Sequence, residues 1–549
     1  METQDDALLV SESDNKNYGT VSSGKSSEPS ELEKSRDFYV LEKQPIKRIC
    51  GYPITIPFII FNEFCERFSF YGMQTILTIY MTEKLLYSNR QATVWYHEFV
   101  AISYFTPLLG ALVADAFIGK YRTILILSMV YVVGNVVMAV TSVGRWFPED
   151  ITTSQDGSAN YQPQLWGPIL GLHLIALGTG GIKPCVSSLG GDQFLKSEGT
   201  KLQSYFSMFY FSINCGGVLA MFITPELRSS KCMDETTCFP LAFGVPAVFM
   251  ILAVISFVLA SKWYVKIPPL GNPITDYSKV IWAMLTRRKM LEDNFGIKKV
   301  QDTRQLLRVL FVLSPIPFFW ALYSQQGSRW IIQAKRMNGK LGNVVIKPDQ
   351  MQVFNPLLVL SLLPFFEGVV YPLLRKNGLK VRATSRMVAG MVFVALAFVV
   401  CGFVELSMEA RVATWNEDNV DDKRTLDTLD PEHQLHILAT LPQIFLIGCG
   451  EVLTVVTGLE FAYAYAPSST KSVCSSFFLL THAFGNVITI IFTNVTDRDL
   501  YLYFMWAGIE LSAAITMFII CWHVQDSLDR SIQQMHTQPK LQESKVPVK

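Results

Sequence analysis

Apolar runs long enough to cross a lipid bilayer recur along almost the whole chain. A membrane-spanning helix needs about 20 consecutive, mainly apolar residues, and hydropathy indicates about twelve such runs. We number them spans 1 to 12 and place them near residues 53–81, 94–116, 122–142, 165–186, 203–224, 239–261, 306–324, 351–374, 386–405, 435–458, 473–494 and 500–523. The recurrence predicts an all-α membrane protein with about twelve transmembrane helices.

The composition agrees with a protein that lies in a bilayer. Half of the 549 residues are hydrophobic and only 17% are charged, whereas soluble domains carry about 25% charged residues. The formal net charge is +1, so the overall charge gives no reason to expect a nucleic acid partner. We therefore expect the lipid bilayer as the main surroundings of the chain.

The charges of the loops predict the orientation. Basic residues are concentrated between spans 6 and 7 and between spans 8 and 9, whereas the loop at residues 415–432 is acidic. Cytoplasmic loops carry an excess of Lys and Arg, so these basic loops and both tails are expected in the cytoplasm. The loop after span 7 is also basic and opposes this assignment.

The long basic stretch divides the spans into two six-helix halves. Two halves around a central cavity, with the binding site between them, are a common plan for transporters. The polar first residues predict a disordered tail. The predicted parts are a cytoplasmic N-terminal tail at 1–48, a first bundle at 49–262, a cytoplasmic linker at 263–304, a second bundle at 305–523 with a short extracellular loop at 406–434, and a cytoplasmic C-terminal tail at 524–549.

Span 1 contains three charged residues within five positions. Glu63, Glu66 and Arg67 are three and four residues apart, so they share one side of a helix, and Tyr71 extends that side. A charge at the centre of a bilayer costs about 3 kcal/mol, and such residues usually mark a transport or proton site. The alternative is a static ion pair that braces two helices.

Further polar residues lie inside the spans or close to their ends. Lys183 follows a glycine-rich segment in span 4 and either pairs with a carboxylate of span 1 or extends to the membrane surface. Glu460 is a second carboxylate that is costly to bury, near the end of span 10. Asn214 in span 5 and Asn355 in span 8 either bind a ligand or only join helices.

Two residue pairs and one histidine near the ends of spans are further candidates. Arg308 and Glu367 form either a gate at the cytoplasmic ends of spans 7 and 8 or a surface ion pair of little value. His97, which ordinarily titrates near neutrality, handles protons or is structural. Cys232 and Cys238 flank a polar loop and form a disulfide if that loop is extracellular, or remain free thiols.

Aromatic side chains and missing motifs complete the site predictions. The aromatic residues pack the core or line pockets for varied side chains; they are Tyr71, Tyr80, Tyr104, Phe319, Trp320 and Phe478.

The sequence has no nucleotide-binding loop, no spacing typical of a metal site and no dinucleotide motif. We therefore predict no enzyme, no metal and no cofactor, and a gradient as the energy source.

Several segments together resemble one family. The segment from Glu63 to Gly72 is similar to the ExxER and YG signature of proton-dependent oligopeptide transporters, which belong to the major facilitator superfamily. Further stretches that resemble the family are residues 110–123, 178–194, 319–334 and 458–472. The resemblance is greatest to animal di- and tripeptide transporters, and it implies a major-facilitator-type fold and a proton-coupled symporter that imports di- and tripeptides by alternating access.

The resemblance also implies roles for individual residues. The residues implied to couple protons are Glu63, Glu66, Arg67, His97 and Lys183; those implied to bind substrate are Arg67, Tyr71, Tyr80, Tyr104, Lys183, Asn214, Trp320, Asn355 and Glu460; the gate pair is Arg308 and Glu367. The implied partners are short peptides, protons and the bilayer. We expect a functional monomer in the plasma membrane, with an endosomal or lysosomal membrane as the less favoured location.

Three features depart from the family pattern. Ser324 stands where animal members usually carry Asp, and Phe478 stands where Trp is common. The loop at 406–434 is short, whereas mammalian intestinal and renal members insert a large domain there. Transport of nitrate or histidine, and a sensor that does not transport, remain alternatives; the charges of both signs in ExxER, Lys183 and Glu460 favour a zwitterionic peptide.

Overall fold

The structure is a computed structural model, and helices make up nearly all of its regular elements. It describes residues 47–143, 150–153, 159–162, 166–195, 198–232, 236–268, 273–286, 295–379, 381–467, 471–493, 495–496 and 498–543. The predicted disorder of the N-terminal tail falls almost entirely outside these residues.

Six helices form the first half. They are Ile56–Ile79, Asn89–Val113, Lys120–Thr141, Trp166–Gly191, Gly199–Ser229 and Phe239–Leu259, and they correspond to spans 1 to 6. Span 2 begins after Ser88, which forms a capping box with Gln91. Spans 1 and 2 end in π-helical turns at Tyr80–Lys84 and Ala114–Ile118.

The second half uses more interrupted helices. After the linker helix Pro273–Thr286, spans 7 to 12 are built from Ile297–Leu313, Ile316–Tyr323, Arg329–Lys335, Phe354–Phe365, Tyr371–Lys376, Ala383–Asp418, Leu441–Glu451, Thr457–Ala464, Lys471–Phe492 and Asp499–Glu543. Span 7 is bent by 42° between Leu313 and Ile316, where Pro315 cannot donate a backbone hydrogen bond. Short 3-10 helices at Ser324–Gly327, Pro348–Val353 and Ile437–Thr440, and π-helical turns at Phe366–Val370 and Val452–Val456, connect the pieces.

Length and composition support the predicted number of spans. Among the described residues, nine helices can cross a membrane, and the bent pair of span 7 adds a tenth. The remaining two are span 1, which carries the three charged residues, and span 11, whose apolar part is Ser476–Phe492. These helices account for the twelve predicted spans.

Each half has its own apolar core. The first core includes Ile59, Phe70, Tyr131, Ile175 and Phe243, and the second includes Leu306, Phe319, Met391, Ile447 and Trp506. Spans 2 and 4 are in backbone contact, because a Cβ atom on Gly110 would overlap the carbonyl group of Gly181. This close approach brings the side chains of span 4 towards those of span 2.

Among the described residues, three small antiparallel hairpins lie outside the helices, one before span 1 and two between spans. They are Arg48–Ile49 with Tyr52–Pro53, Asp150–Thr153 with Ala159–Gln162, and Lys340–Leu341 with Val344–Val345. The first hairpin is tied to the loop before span 5, where Arg48 Nη2 donates to Glu198 Oε2 over 2.9 Å. This ion pair lowers the pKa of Glu198 to about 2.

The two halves are joined at one end of the bundle and near its centre. We call the end with residues 85–88 and 336–347 the outer end, and the end with Gly119 and residues 377–379 the inner end. Near the outer end, Thr78 Oγ1 donates to the carbonyl oxygen of Gly327 over 2.6 Å. Gln352 Nε2 donates to the carbonyl oxygen of Thr75 over 3.2 Å.

Ion pairs also close the outer end. Arg228 of span 5 contacts Asp349 before span 8 through Nε–Oδ2 at 2.9 Å and Nη2–Oδ1 at 3.2 Å. Lys335 Nζ lies 3.1 Å from Glu83, and Lys347 pairs with a glutamate of span 5. These bonds cross between the halves, so the structure has its outer end closed.

A His–Glu pair lies on the outside of the first half. His173 Nε2 is 3.5 Å from Glu98 Oε1, and each side chain is 37% exposed. Their helices also expose Leu170 and Leu177 of span 4 and Phe105 of span 2, at helical spacing from the pair. The pair therefore shares the apolar outer surface rather than the centre of the protein.

Candidate functional site

The charged cluster of span 1 forms within one helix. Arg67 Nε lies 2.7 Å from Glu63 Oε1 and 3.2 Å from Glu66 Oε2, so one guanidinium group serves two carboxylates. Thr179 of span 4 donates from Oγ1 to Glu66 Oε1 over 2.6 Å. All three charged side chains are buried in this conformation. The three charged side chains thus form a buried cluster, and the Thr179 hydroxyl group links this cluster to span 4.

Lys183 lies near this cluster but does not pair with it. Its Nζ atom is closed to solvent and has no hydrogen-bond partner among the described residues. It lies 4.4 Å from the ring centroid of Phe70 and 4.1 Å from that of Tyr104, a cation–π arrangement. The structure therefore corrects both expectations for Lys183: the ammonium neither forms an ion pair with Glu63 or Glu66 here nor extends to the surface.

A carboxylate on the other half belongs to a residue that the sequence analysis did not select. Glu451 of span 10 accepts a hydrogen bond from Asn355 Nδ2 over 2.7 Å. The same Nδ2 atom lies 3.2 Å from the hydroxyl oxygen of Tyr323. Three spans of the second half thus converge on one carboxylate, and Asn355 is part of this group as well as of the predicted site.

Glu460 does not reach this group. Its side chain is 53% exposed, and its Oε2 accepts a hydrogen bond from Arg386 Nη2 over 3.1 Å. Nine residues separate it from Glu451, which is about 13 Å along a helix. This corrects the expectation for Glu460. The position along the span could have identified Glu451, because Glu451 lies inside the predicted span 435–458 and Glu460 lies beyond its end.

His97 is buried between the halves. Its Nδ1 atom lies 2.7 Å from Asn486 Oδ1 of span 11, and its Nε2 atom lies 2.9 Å from Ser328 Oγ. Asn486 Nδ2 donates to the carbonyl oxygen of His482, so its Oδ1 atom remains as the acceptor. This network assigns the proton to Nδ1 of His97 and makes Nε2 the acceptor for Ser328.

His482 is a second central histidine that the sequence analysis did not select. Its ring lies 3.8 Å from that of Tyr104 in the first half and 3.9 Å from that of Trp320 in the second half, measured between centroids. Its Nε2 atom lies 3.0 Å from Ser324 Oγ. Its position inside predicted span 11 could have identified it, because ionisable residues within membrane spans are rare and usually functional.

The remaining predicted aromatic residues separate into two groups. Tyr71 is half-buried and lies close to span 5, since a Cβ atom on Gly217 would come within 3.0 Å of its ring. Tyr80 is buried in the core near the outer end, with its ring 5.1 Å from Phe239 and 4.9 Å from Phe243. The expectation that Tyr80 lines the cavity is therefore corrected, because its ring is enclosed by side chains of the first half.

Asn214 and Phe478 occupy less central positions than the histidines. Asn214 Nδ2 donates to the carbonyl oxygen of Tyr210 in its own helix over 2.9 Å. Phe478 is buried with its ring 6.5 Å from that of Trp320. Neither contact assigns a ligand to these side chains in this conformation.

The predicted gate residues and cysteines lie at opposite ends. Arg308 and Glu367 are both exposed near the inner end. Cys232 and Cys238 form a disulfide at the outer end. Within the described ranges, no group of three or more His, Cys, Asp or Glu side chains could hold a metal ion.

Comparison with known proteins gives a consistent family. The family model PTR2, which describes the POT family, matches residues 121–295 and 288–502 of this chain. Human solute carrier family 15 member 1 is 41% identical over 388 residues, covering 67% of this chain and 54% of that protein. Human member 2 is 42% identical over 384 residues, covering 67% and 51%. The chain therefore spans about half the length of these relatives.

Solved structures agree with this result. The crystal structure of the POT family transporter PepTSo is 30% identical, with a TM-score of 0.70, and the match covers 86% of this chain and 99% of that one. A proton dependent oligopeptide (POT) family transporter is 31% identical, with a TM-score of 0.61 and coverages of 84% and 100%. The predicted major-facilitator-type fold of about twelve transmembrane helices in two six-helix halves is confirmed, and the chain belongs to the POT family.

Proposed function

We propose that the protein is a proton-coupled symporter that imports di- and tripeptides by alternating access. The observation that carries this proposal is the division of charge at the centre. The first half presents the Lys183 ammonium beside Arg67, which is paired with Glu63 and Glu66, and the second half presents the carboxylate of Glu451. A zwitterionic peptide carries one charge of each sign at its ends, so it matches this division, whereas nitrate matches only the cationic side.

The ends of the peptide are proposed to bind on opposite halves. Lys183 has no hydrogen-bond partner in the described part of the chain, so a peptide carboxylate would supply one. Glu451 is held by Asn355 and would bind the peptide ammonium group. This replaces Glu460 by Glu451 in the predicted substrate-binding set. A ligand that joins the two halves favours the conformation in which both can be contacted.

Proton coupling is proposed to depend on competition for Arg67. Its guanidinium is shared by Glu63 and Glu66, so one cation is the partner of both carboxylates. A peptide carboxylate that draws Arg67 away would leave one glutamate without its cation. That glutamate would then take up a proton rather than remain a buried, unpaired charge. Arg67 and Glu63 share one helix, so movement of the side chain is sufficient.

Alternating access is proposed to require exchange of contacts between the two ends. The outer end is closed by Arg228 and Asp349, and by the hydrogen bond from Thr78 to Gly327. These bonds must break for substrate to enter from that side. At the inner end, Arg308 and Glu367 are proposed to form the predicted gate when that end closes.

The cellular arrangement is part of the same proposal. The outer end is proposed to be extracellular, because the disulfide lies there and the opposite loops are basic. Both tails and the linker 263–304 would be cytoplasmic, between bundles at 49–262 and 305–523. The protein would work as a monomer in the plasma membrane, without a cofactor or enzymatic activity.

Uptake of a labelled dipeptide at two external pH values tests this function. We expect faster uptake at pH 6 than at pH 8, inward current with each cycle, and competition by other dipeptides but not by nitrate or free histidine. Competition by nitrate or histidine alone would support a different cargo. A protein that reaches the surface but gives neither uptake nor current with dipeptides would contradict transport and support a sensor.

A further inference from the structure

His482 lies where the two charged sides of the centre come together. Its ring packs against that of Tyr104 at an angle of 33°, and Tyr104 also contacts the Lys183 ammonium. Its ring centroid is 6.5 Å from that of Tyr323, whose hydroxyl oxygen is close to the Asn355 amide that holds Glu451. The imidazole is therefore located between the cationic group of the first half and the carboxylate of the second.

One nitrogen of this imidazole lacks a hydrogen-bond partner in the part of the chain that the structure describes. His482 is more than nine-tenths buried, and its Nδ1 atom has no hydrogen-bond partner among the residues that the structure describes. A buried polar atom without a partner costs about 1 to 3 kcal/mol. The ring is stacked on Trp320 and packed against Tyr104, so it cannot easily turn to satisfy this atom elsewhere. A ligand that supplies a partner would recover this free energy.

Ser324 determines which kind of partner is needed. Its hydroxyl group lies 3.0 Å from His482 Nε2 and can donate to it. When Ser324 is the donor, the proton of the neutral ring is on Nδ1, which is then a donor itself. The missing partner is thus a hydrogen-bond acceptor.

We propose that His482 Nδ1 donates a hydrogen bond to the peptide-bond carbonyl oxygen of the transported peptide, and that Ser324 holds the tautomer that makes this possible. The inference rests on the proposed function. With the two ends of a dipeptide on opposite halves, its single amide lies between them, which is where His482 lies. His482 is a substrate-binding residue, and Ser324 is a positioning residue that acts through it.

Two substrates and one variant test the proposal. The substrates are Ala-Ala and its thioxo analogue, whose amide sulfur is a weaker acceptor than oxygen. The variant is His482→Phe, which keeps an aromatic ring but has no donor. In the unaltered protein, we expect the thioxo analogue to bind about tenfold more weakly, as for loss of one hydrogen bond. In His482→Phe, Ala-Ala should lose about tenfold and the thioxo analogue should lose almost nothing.

The controls distinguish this role from packing. His523→Phe, an exposed histidine of span 12, should leave both affinities unchanged. Ser324→Ala should weaken Ala-Ala more than the thioxo analogue. If His482→Phe does not reach the membrane, the comparison is made with Ser324→Ala and purified protein, by thermal shift with each peptide.

Two results would overturn the proposal. One is an equal loss for both substrates in His482→Phe. The other is sensitivity to N-methylation of the amide instead of to the thioxo change, which would make Nδ1 an acceptor. Absence of dipeptide uptake by the unaltered protein would instead contradict the proposed function itself.

Discussion

The Arg228–Asp349 pair at the outer end makes a quantitative prediction about alternating access. Asp349 is fully buried and Arg228 is 7% exposed, and two hydrogen bonds join them. Removing one partner of a buried pair costs about 3 to 5 kcal/mol, because the other charge is left without compensation. Arg228 keeps Glu83 Oε2 at 3.7 Å after Asp349→Asn, so we expect the lower value, about 3 kcal/mol.

This loss applies to the closed outer end more than to an open one, where water can reach Arg228. The equilibrium should therefore move towards the open form by up to about 150-fold. Opening can be followed with Gln352→Cys, whose position lies at the contact with Thr75. Its reaction with a membrane-impermeant thiol reagent should be much faster after Asp349→Asn, with the protein that has only native cysteines as background.

Two further variants make the measurement decisive. Asp422→Asn removes an exposed carboxylate that pairs with Arg424 in one loop, and should not change the reaction rate. Arg228→Met combined with Asp349→Leu removes both charges and should slow the reaction again. Equal rates for Asp349→Asn and the unaltered protein would refute the reasoning, because the pair would then not hold the outer end closed.

Three other predictions concern single groups. Glu451→Gln should abolish dipeptide accumulation at normal surface expression while Glu460→Gln retains most of it, since only Glu451 lies centrally; equal uptake by both would contradict the site. Removing Glu98 or His173 alone should lower the melting temperature more than removing both, because one polar group would remain on the apolar surface. Because the pKa of Glu198 is lowered to about 2, the stability that its ion pair contributes is complete above its ordinary pKa of about 4.3 and is lost as the pH falls towards 2; Glu198→Gln should therefore lower the melting temperature by the same amount at pH 5 and at pH 8, and a clearly different loss at these two pH values would contradict this.

Several features followed from the sequence because they depend on local spacing. Hydropathy located the twelve spans, and the i, i+4 spacing of Glu63 and Arg67 placed them on one side of a helix, where the structure has them in contact. Cys232 and Cys238 are close in the chain and flank one loop, so their pairing needed no knowledge of the fold. In each of these cases, the relevant distance was set within a single element or loop.

The rest depends on how separate helices meet. Glu451 and Glu460 are both carboxylates in or near span 10, and only the position of the helix end decides which one is central. Lys183 has glutamates nearby, yet its side chain lies on aromatic rings of spans 1 and 2. His482 acquires its surroundings from spans 2 and 7. Such contacts between distant segments are not encoded in the periodicity of any one of them.

The contact of Gly110 with Gly181 limits where motion can occur during transport. Neither residue has a side chain that could be repacked, so separating spans 2 and 4 would open an empty gap between two backbones. Tyr104 and Lys183 are carried by these spans, so we expect them to move together during transport. A change in the distance from Lys183 to Glu451 would therefore report displacement of one half against the other. Two probes, one on span 2 and one on span 4, should show no change in the distance between them.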